Sequence, residues 1–224
     1  MIGRAALGIW MEVDAGGLED FNAWYRGQHL PERLAVPGFL RGRRYETTGG
    51  GPRYFTLYET AEPAVLSSAA YLARLNDPTD WTRRALPRVT RMVRNAYRGV
   101  AASPADALTS SLLTVRVQPH SGRGPYVRAW LAAQAADALG AVEGIAGWAT
   151  YESDTSGTSV ATEERKIMGG EVVAAPPFLI LCELRDAEAE ARVRDFWPAW
   201  ATRIAAEATI DGYRLLYGLG WLGG

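Results

Sequence analysis

Hydrophobic and polar positions change period twice within residues 6–47. Residues 6–13 (Ala-Leu-Gly-Ile-Trp-Met-Glu-Val) form a short, almost continuous apolar run closed by Asp14-Ala-Gly-Gly, the pattern of a buried strand followed by a turn. From Leu18 the spacing becomes helical. At about 100° per residue, Phe21, Tyr25, His29, Glu32 and Val36 share an arc of about 80°. That stripe should face a sheet, yet two of its five members, His29 and Glu32, are ionisable. Pro31 predicts a kink or an end near that point, and Pro37-Gly38 stops the segment. Alternation then returns at 39–47 and 53–60, two strands separated by Gly49-Gly50-Gly51-Pro52. Helical material is expected over 62–75 and again over 80–89, and a fourth strand over 94–100. The order is βαββαβ, the ferredoxin-like unit.

A connector at 101–109 precedes a second pass through the same pattern. With a constant offset of 106, Ile9 falls on Val115, Phe21 on Val127, Trp24 on Trp130, Gly38 on Gly144, Tyr45 on Tyr151 and Glu46 on Glu152. Matches of this kind mark an internal repeat. They divide the chain into a first repeat at 1–103 and a second, diverged one at 108–224. Glu46 to Glu59 spans 13 residues and Glu152 to Glu183 spans 31, so the second repeat carries 18 more, within 153–175. That polar, glycine-containing stretch reads as a solvated hairpin extension, with a lid or a dimer arm as alternatives. A strand at 178–184, a helix at 187–206 and a strand at 212–219 complete the half. The expected fold class is therefore α+β: two ferredoxin-like βαββαβ repeats whose sheets pack against each other as an intramolecular α+β barrel.

The two repeats act as controls for one another. In the second, the helical stripe is Val127, Leu131, Ala135, Ala138 and Val142, so the scaffold closes its core without a histidine or a glutamate. Keeping His29 and Glu32 on the matching face of the first repeat costs stability unless each is partnered. The substitution pattern predicts a pocket in the first repeat, between its strands and its helix, and a filled core with no comparable cavity in the second. Alternation from Phe39 places Arg41, Arg43 and Tyr45 on the helix-covered face, where Arg43 would meet Glu32 or an anionic substrate. Trp10, Tyr25, Tyr58 and Trp81 are candidates for an aromatic lining around His29.

Composition narrows the function classes. The 224 residues are 48% hydrophobic, with 24 basic against 25 acidic side chains, which gives no electrostatic reason to expect a nucleic acid or an anionic membrane surface as partner. No apolar run is long enough for a bilayer span, the apolar stretch before Glu12 is too short for a secretion signal, and a cytoplasmic setting is the default. A single cysteine, Cys182, excludes an internal disulfide, and two histidines exclude a three-histidine metal site, so no metal is expected. His120, in Gln118-Pro119-His120-Ser121-Gly122, reads as an exposed loop residue.

The segment Asp20-Phe21, Trp24-Tyr25, His29-Leu30-Pro31, Val36-Pro37-Gly38-Phe39 and Arg44-Tyr45 resembles the pattern of EthD-like proteins in the dimeric α+β barrel superfamily. There a helix ends in a His-x-Pro element shortly before the Pro-Gly that opens the second strand. The second repeat departs from the pattern, with Ala135 for the histidine and Glu143-Gly144 for the Pro-Gly. The resemblance implies a ligand pocket between one sheet and its helices, with His29 inside it. It also implies a superfamily of mixed function: cofactor-free cyclases, decarboxylases, dehydratases, oxygenases, lactone isomerases, haem enzymes and proteins without known activity. Family members usually pair two chains, whereas here both halves lie in one chain, leaving a homodimer optional.

These readings combine into a cofactor-independent enzyme for a small hydrophobic, aromatic or polyketide-like substrate. Lyase, dehydratase, cyclase and isomerase outcomes all fit. His29 would be the acid or base, since its ordinary pKa suits proton transfer near neutrality. Glu32 would be its proton partner, and Arg43 and Tyr58 would stabilise an enolate or phenolate. The rival readings are a non-catalytic small-molecule-binding or accessory protein with a vestigial pocket, and a haem protein with His29 as ligand.

Overall fold

The computed structural model describes residues 3–104, 108–154, 161–204 and 206–220. The first half contributes strands β1 (Ala5–Val13), β2 (Phe39–Gly49), β3 (Tyr54–Thr60) and β4 (Val89–Ala102). The second contributes β5 (Ser111–Pro119), β6 (Ile145–Ser153), β8 (Phe178–Leu184) and β9 (Ala206–Gly220), with a short extra strand β7 (Glu171–Ala174) before β8. Strands of the first half lie side by side as β4-β1-β3-β2 and those of the second as β9-β5-β8-β6, the same order for corresponding strands. β2 then pairs with β9 and β4 with β6, both antiparallel, so eight strands close into a barrel within one chain. Closure leaves no open edge in the eight-stranded ring.

β4 begins five residues earlier than the sequence pattern indicates and β9 six residues earlier. In each case the extra length is used. The first part of β4 carries β7 as a parallel neighbour (Arg91 opposite Glu171), while its last residues pair with β6. The beginning of β9 pairs with the end of β5.

The alternation of strand side chains separates three cores. In β3, Tyr54 and Tyr58 face the helices of the first half, whereas Phe55 and Leu57 face the barrel interior. The interior is built from both halves and is rich in rings: Trp10, Tyr45, Phe55 and Tyr97 meet Tyr151 and Tyr213. Helices α1 (Leu18–Trp24), α2 (Leu30–Leu34), α3 (Ala69–Asn76) and α4 (Asp80–Ala85) cover the outside of the first sheet. Helices α5 (Gly124–Ala133), α6 (Ala135–Gly140) and α8 (Ala187–Ile204) cover the second. A short helix, α7 (Glu163–Ile167), lies in the insertion of the second half.

Several positions paired by the offset of 106 occupy matching places in the two halves. Trp24 and Trp130 are both buried on the first helical segment of their half, and Tyr45 and Tyr151 both enter the interior. Gly38 and Gly144 adopt φ of 93° and 90° at the turn into the second strand, a left-handed backbone that favours glycine. A side chain there would also strike the neighbouring packing, Val65 Cγ2 at 2.5 Å in one half and Ala189 Cβ at 2.7 Å in the other.

Two local irregularities redirect side chains that regular periods assign elsewhere. Between Phe39 and Arg41 the register against β3 slips, with Phe39 opposite Thr60 and Arg41 opposite Glu59, so Leu40 is an extra, bulged residue. The same slip occurs at Ala146 between Ile145 and Gly147 in β6. The second irregularity is a π-helical turn, Tyr25–His29, inserted between α1 and α2.

Candidate active site

His29 lies at the end of the π-helical turn and is buried, 7% exposed. Its ring packs against Trp24 at 4.4 Å and Tyr25 at 4.7 Å between centroids. No partner is found for its Nδ1 among the described residues. It borders a cavity walled by Leu7, Ile9 and Met11 of β1, by Phe21, Trp24 and Tyr25, by Tyr58, and by Met92 and Arg94 of β4. Arg33 and Tyr71 close one side, and Glu164 and Met168 arrive from the insertion of the second half. The cavity volume is about 60 Å³, several times what one water needs.

An extra residue in one helical turn advances the inward stripe by one position beyond it. The buried set is Phe21, Trp24 and Tyr25 up to the start of the π turn, and His29, Leu30 and Arg33 from its end onward. Arg33 therefore occupies the inward place that a regular helix gives to Glu32. Glu32 is half-buried outside the cavity, with Arg74 at 3.9 Å as its ion partner, so the expected His29–Glu32 pair does not form. The carboxylate in the cavity is instead Glu164, whose two oxygens each lie 2.5 Å from Arg33 Nη2. The insertion expected to be a solvated hairpin thus lays α7 beside the first-half site; its residues 155–160 fall outside the described ones.

The bulge at Leu40 similarly exchanges Arg43 and Arg44. Arg43 turns into the barrel interior, where it pairs with Glu183 and, at 3.4 Å, with Glu59. It is no part of the cavity and cannot reach Glu32's side of the sheet. Arg44 takes the helix-covered face instead. Its guanidinium is sandwiched 3.9 Å from the ring of Tyr25 and 4.2 Å from that of Tyr54, and Nη2 donates to Asn22 Oδ1 at 3.2 Å. Gly42 shares the helix-covered face with Arg44, and a Cβ there would meet Leu30 Cδ1 at 2.6 Å and the Tyr58 ring at 3.2 Å, so glycine eases the close packing of the helix on the sheet.

Of the four aromatic candidates, Tyr25 and Tyr58 line the cavity. Tyr25 Oη is 3.0 Å from Thr56 Oγ1 and 3.3 Å from Tyr58 Oη, a small hydroxyl cluster. Trp10 does not join them. β1 alternates so that Leu7, Ile9 and Met11 face the helices while Trp10 points inward, where it stacks on Phe55 and donates to Thr114 Oγ1 at 3.3 Å. Trp81 sits at the rim of the helical layer, donating to Asp20 Oδ1 at 3.0 Å, and is not a cavity wall.

Burial holds the His29 imidazole well below its usual 6.5, and the cationic Arg33 and Arg44 push it further down, so it is neutral at pH 7. Burial, then the neighbouring Tyr25, raises the Tyr58 phenol well above 10, keeping it a protonated donor. Burial pushes the Glu164 carboxyl up and outweighs the opposing pull of Arg33. Arg33 itself stays charged, its pKa raised by Glu164 against the cost of burial.

A haem on His29 does not fit these residues. A metal-bound imidazole normally has its other nitrogen held by an acceptor; Nδ1 has none, two aromatic rings pack against the imidazole, and the space is far too small for a porphyrin. Among the described residues no three His, Cys, Asp or Glu side chains are grouped to hold a metal ion.

In the second half, Ala135 is fully buried in a cluster with Trp130, Trp197 and Trp200. The expectation that this half has no comparable hollow fails on volume. A groove of about 380 Å³ lies between α5–α6 and α8, lined by Trp130, Ala138, Phe196 and Trp200 among others. No strand residue lines it, so it is a cleft between helices at the surface and not a pocket under them. It also contains no unpartnered buried polar atom.

No protein-family model matches the sequence, and no curated protein matches it significantly. Solved structures do match the fold. A nominal monooxygenase from Fusobacterium nucleatum subsp. nucleatum superposes with a TM-score of 0.61 at 8% identity, over 98% of this chain and 96% of that one. An anthrone oxidase-like protein gives 0.61 at 13% identity, over 96% and 92%. A mutant chlorite dismutase from Candidatus Nitrospira defluvii, in complex with cyanide, gives 0.54 at 10% identity, over 97% and 92%. At such identities the likeness establishes the architecture, the ferredoxin-like α+β barrel, and leaves function to the site. No helix among the described residues is long and apolar enough to cross a membrane.

Proposed function

We propose that the protein is a cofactor-independent enzyme in which His29 removes a proton from a small, flat, largely apolar phenolic or carbonyl substrate. The observation that carries this reading is a neutral imidazole with an unpartnered nitrogen, buried in an aromatic cavity beside cationic side chains. The imidazole is neutral at pH 7 and so keeps a free lone pair; its lowered pKa makes it a weaker base, and the same positively biased surroundings offset this by stabilising the enolate or phenolate that forms. The Tyr25–Tyr58 hydroxyl pair supplies donors for that anion. Such a carbanion leads to isomerase, cyclase, dehydratase or lyase chemistry according to its leaving group. Oxygenation by dioxygen, suggested by the names of the structural neighbours, is a further outcome. The His29-Leu30-Pro31 and Pro37-Gly38 elements support kinship with EthD-like proteins, and the corresponding glycines, tryptophans and bulges support reading the halves as diverged copies. With the barrel closed by one chain, the site needs no second copy.

The test is deuterium exchange into acidic C–H positions of a panel of single-ring β-dicarbonyls and aryl ketones, followed by NMR, with dioxygen uptake recorded in parallel. His29→Ala should abolish exchange while leaving the fold intact, because Ala135 already occupies the matching place in the second half. If the variant keeps wild-type exchange, or if it unfolds, His29 is a packing residue and the proposal is wrong.

A further inference from the structure

Three nitrogens of the same cavity are buried without a hydrogen-bond partner among the described residues: Nη1 of Arg33, Nε of Arg94 and Nδ1 of His29. Native interiors leave few such groups unsatisfied, and a buried guanidinium nitrogen without an acceptor costs stability. The cavity is lined by two arginines, the buried Arg33 and the half-buried Arg94 with its Nε enclosed, and by one carboxylate, from Glu164. With His29 neutral, one positive charge is in excess. The scaffold does not require this arrangement. The face of β4 that carries Arg94 otherwise presents Met92 and Ala96 to the same core, and Glu164 engages only Nη2 of Arg33.

The geometry points to a permanently anionic substrate: a single-ring aromatic acid whose carboxylate docks on Arg33 Nη1 and Arg94 Nε, while its ring lies among Tyr25, Tyr58 and Met92. This names the substrate class of the site proposed above and rests on that reading for the chemistry, though not for the binding. An apolar wall on one side and charged N–H donors on the other distinguish an aromatic carboxylate from a neutral ring and from a small inorganic anion. Glu164 occupies Nη2 as an internal carboxylate, which keeps Arg33 aligned when the cavity holds no ligand.

The experiment is calorimetric titration of the full chain with benzoate and with its neutral isostere benzamide. Benzoate should bind at least tenfold more tightly. Arg94→Met should remove most of that preference by weakening benzoate about tenfold and leaving benzamide unchanged, the effect of losing one charge-assisted bond. Glu164→Gln should strengthen benzoate binding, since it removes the competing charge. Should that variant fail to fold, the Arg94 comparison still decides. Equal affinities in the wild type, no measurable benzoate binding, or an equal loss for both ligands in Arg94→Met would each overturn the assignment. His29→Ala separates the two proposals: it should eliminate proton exchange and keep the benzoate preference. A benzoate preference without exchange in any member of the dicarbonyl and ketone panel, or in their ring-carboxylated analogues, leaves this inference standing and rejects the catalytic one.

Discussion

Arg33 and Glu164 are 131 positions apart in sequence, yet the arginine donates to both carboxylate oxygens of the glutamate at 2.5 Å, with side-chain exposures of 2% and 9%. The pair ties the insertion of the second half to the helix of the first and closes the cavity beside His29. Removing the charge of either partner leaves the other buried and uncompensated, so Arg33→Met or Glu164→Leu should each lower unfolding free energy by about 3–5 kcal/mol. The double replacement Arg33→Met with Glu164→Leu should recover most of it. Urea unfolding of the four proteins measures this directly, and additive losses would show that the two side chains are not coupled.

The π-helical turn sets which residues reach the cavity. Deleting Gly27 should restore a regular helix, bring Glu32 inward and turn Arg33 away from Glu164. The expected result is a loss of at least about 2 kcal/mol, from an orphaned buried carboxylate. A deletion variant that melts like the wild type would show that the turn is incidental.

Protonation of His29 is linked to stability with a definite sign. Its folded pKa lies below the unfolded 6.5, so the unfolded chain binds the proton more readily. The full stability is present above pH 6.5 and is lost as pH falls through 6.5 toward the lowered folded value. The slope is at most about 1.4 kcal/mol per pH unit for one proton. Glu164, raised from 4.5, acts in the opposite sense as pH rises above that value. The difference between wild type and His29→Gln, measured by denaturant unfolding from pH 7.5 down to 5, isolates the histidine. A flat difference would mean that the imidazole is not buried in solution.

Gly42 tests the close approach of the helix to the sheet. Gly42→Ala puts a methyl 2.6 Å from Leu30 Cδ1 and 3.2 Å from the Tyr58 ring, both next to the cavity. Overpacking of this kind costs about 1–3 kcal/mol. The displaced Leu30 should also move His29, so proton exchange should fall together with stability. Unchanged melting would place the helix farther from β2.

Arg44 stands behind Tyr25 and adds to the field on His29. Arg44→Met should keep the apolar stem, lose the stack with Tyr25 and Tyr54, and raise the His29 pKa toward 6.5. NMR titration in a His120→Ala background, which leaves one histidine signal, reads this shift. No movement would mean that burial and Arg33 set the value without Arg44.

What the sequence determined by itself, the α+β fold class, rests on period and on the recurrence of one pattern. The βαββαβ order, the offset of 106 and the glycines before the second strands are local or self-referential signals, and local signals survive in any tertiary context. His29 and Tyr58 could be placed near one another because His29, at the end of the π turn, still faces the sheet, and the alternation within β3 is unbroken. Beyond them, single extra residues decided. One residue in the π turn exchanged Glu32 for Arg33, and one at Leu40 exchanged Arg43 for Arg44. A fixed period cannot announce such a slip, because the residues involved look the same on either face and only packing against the sheet selects the register. Arg94 and Glu164 were out of reach for a different reason. They join Arg33 around one cavity from segments far apart in the chain, and β7 pairing beside β4 brings the insertion that carries Glu164 to it.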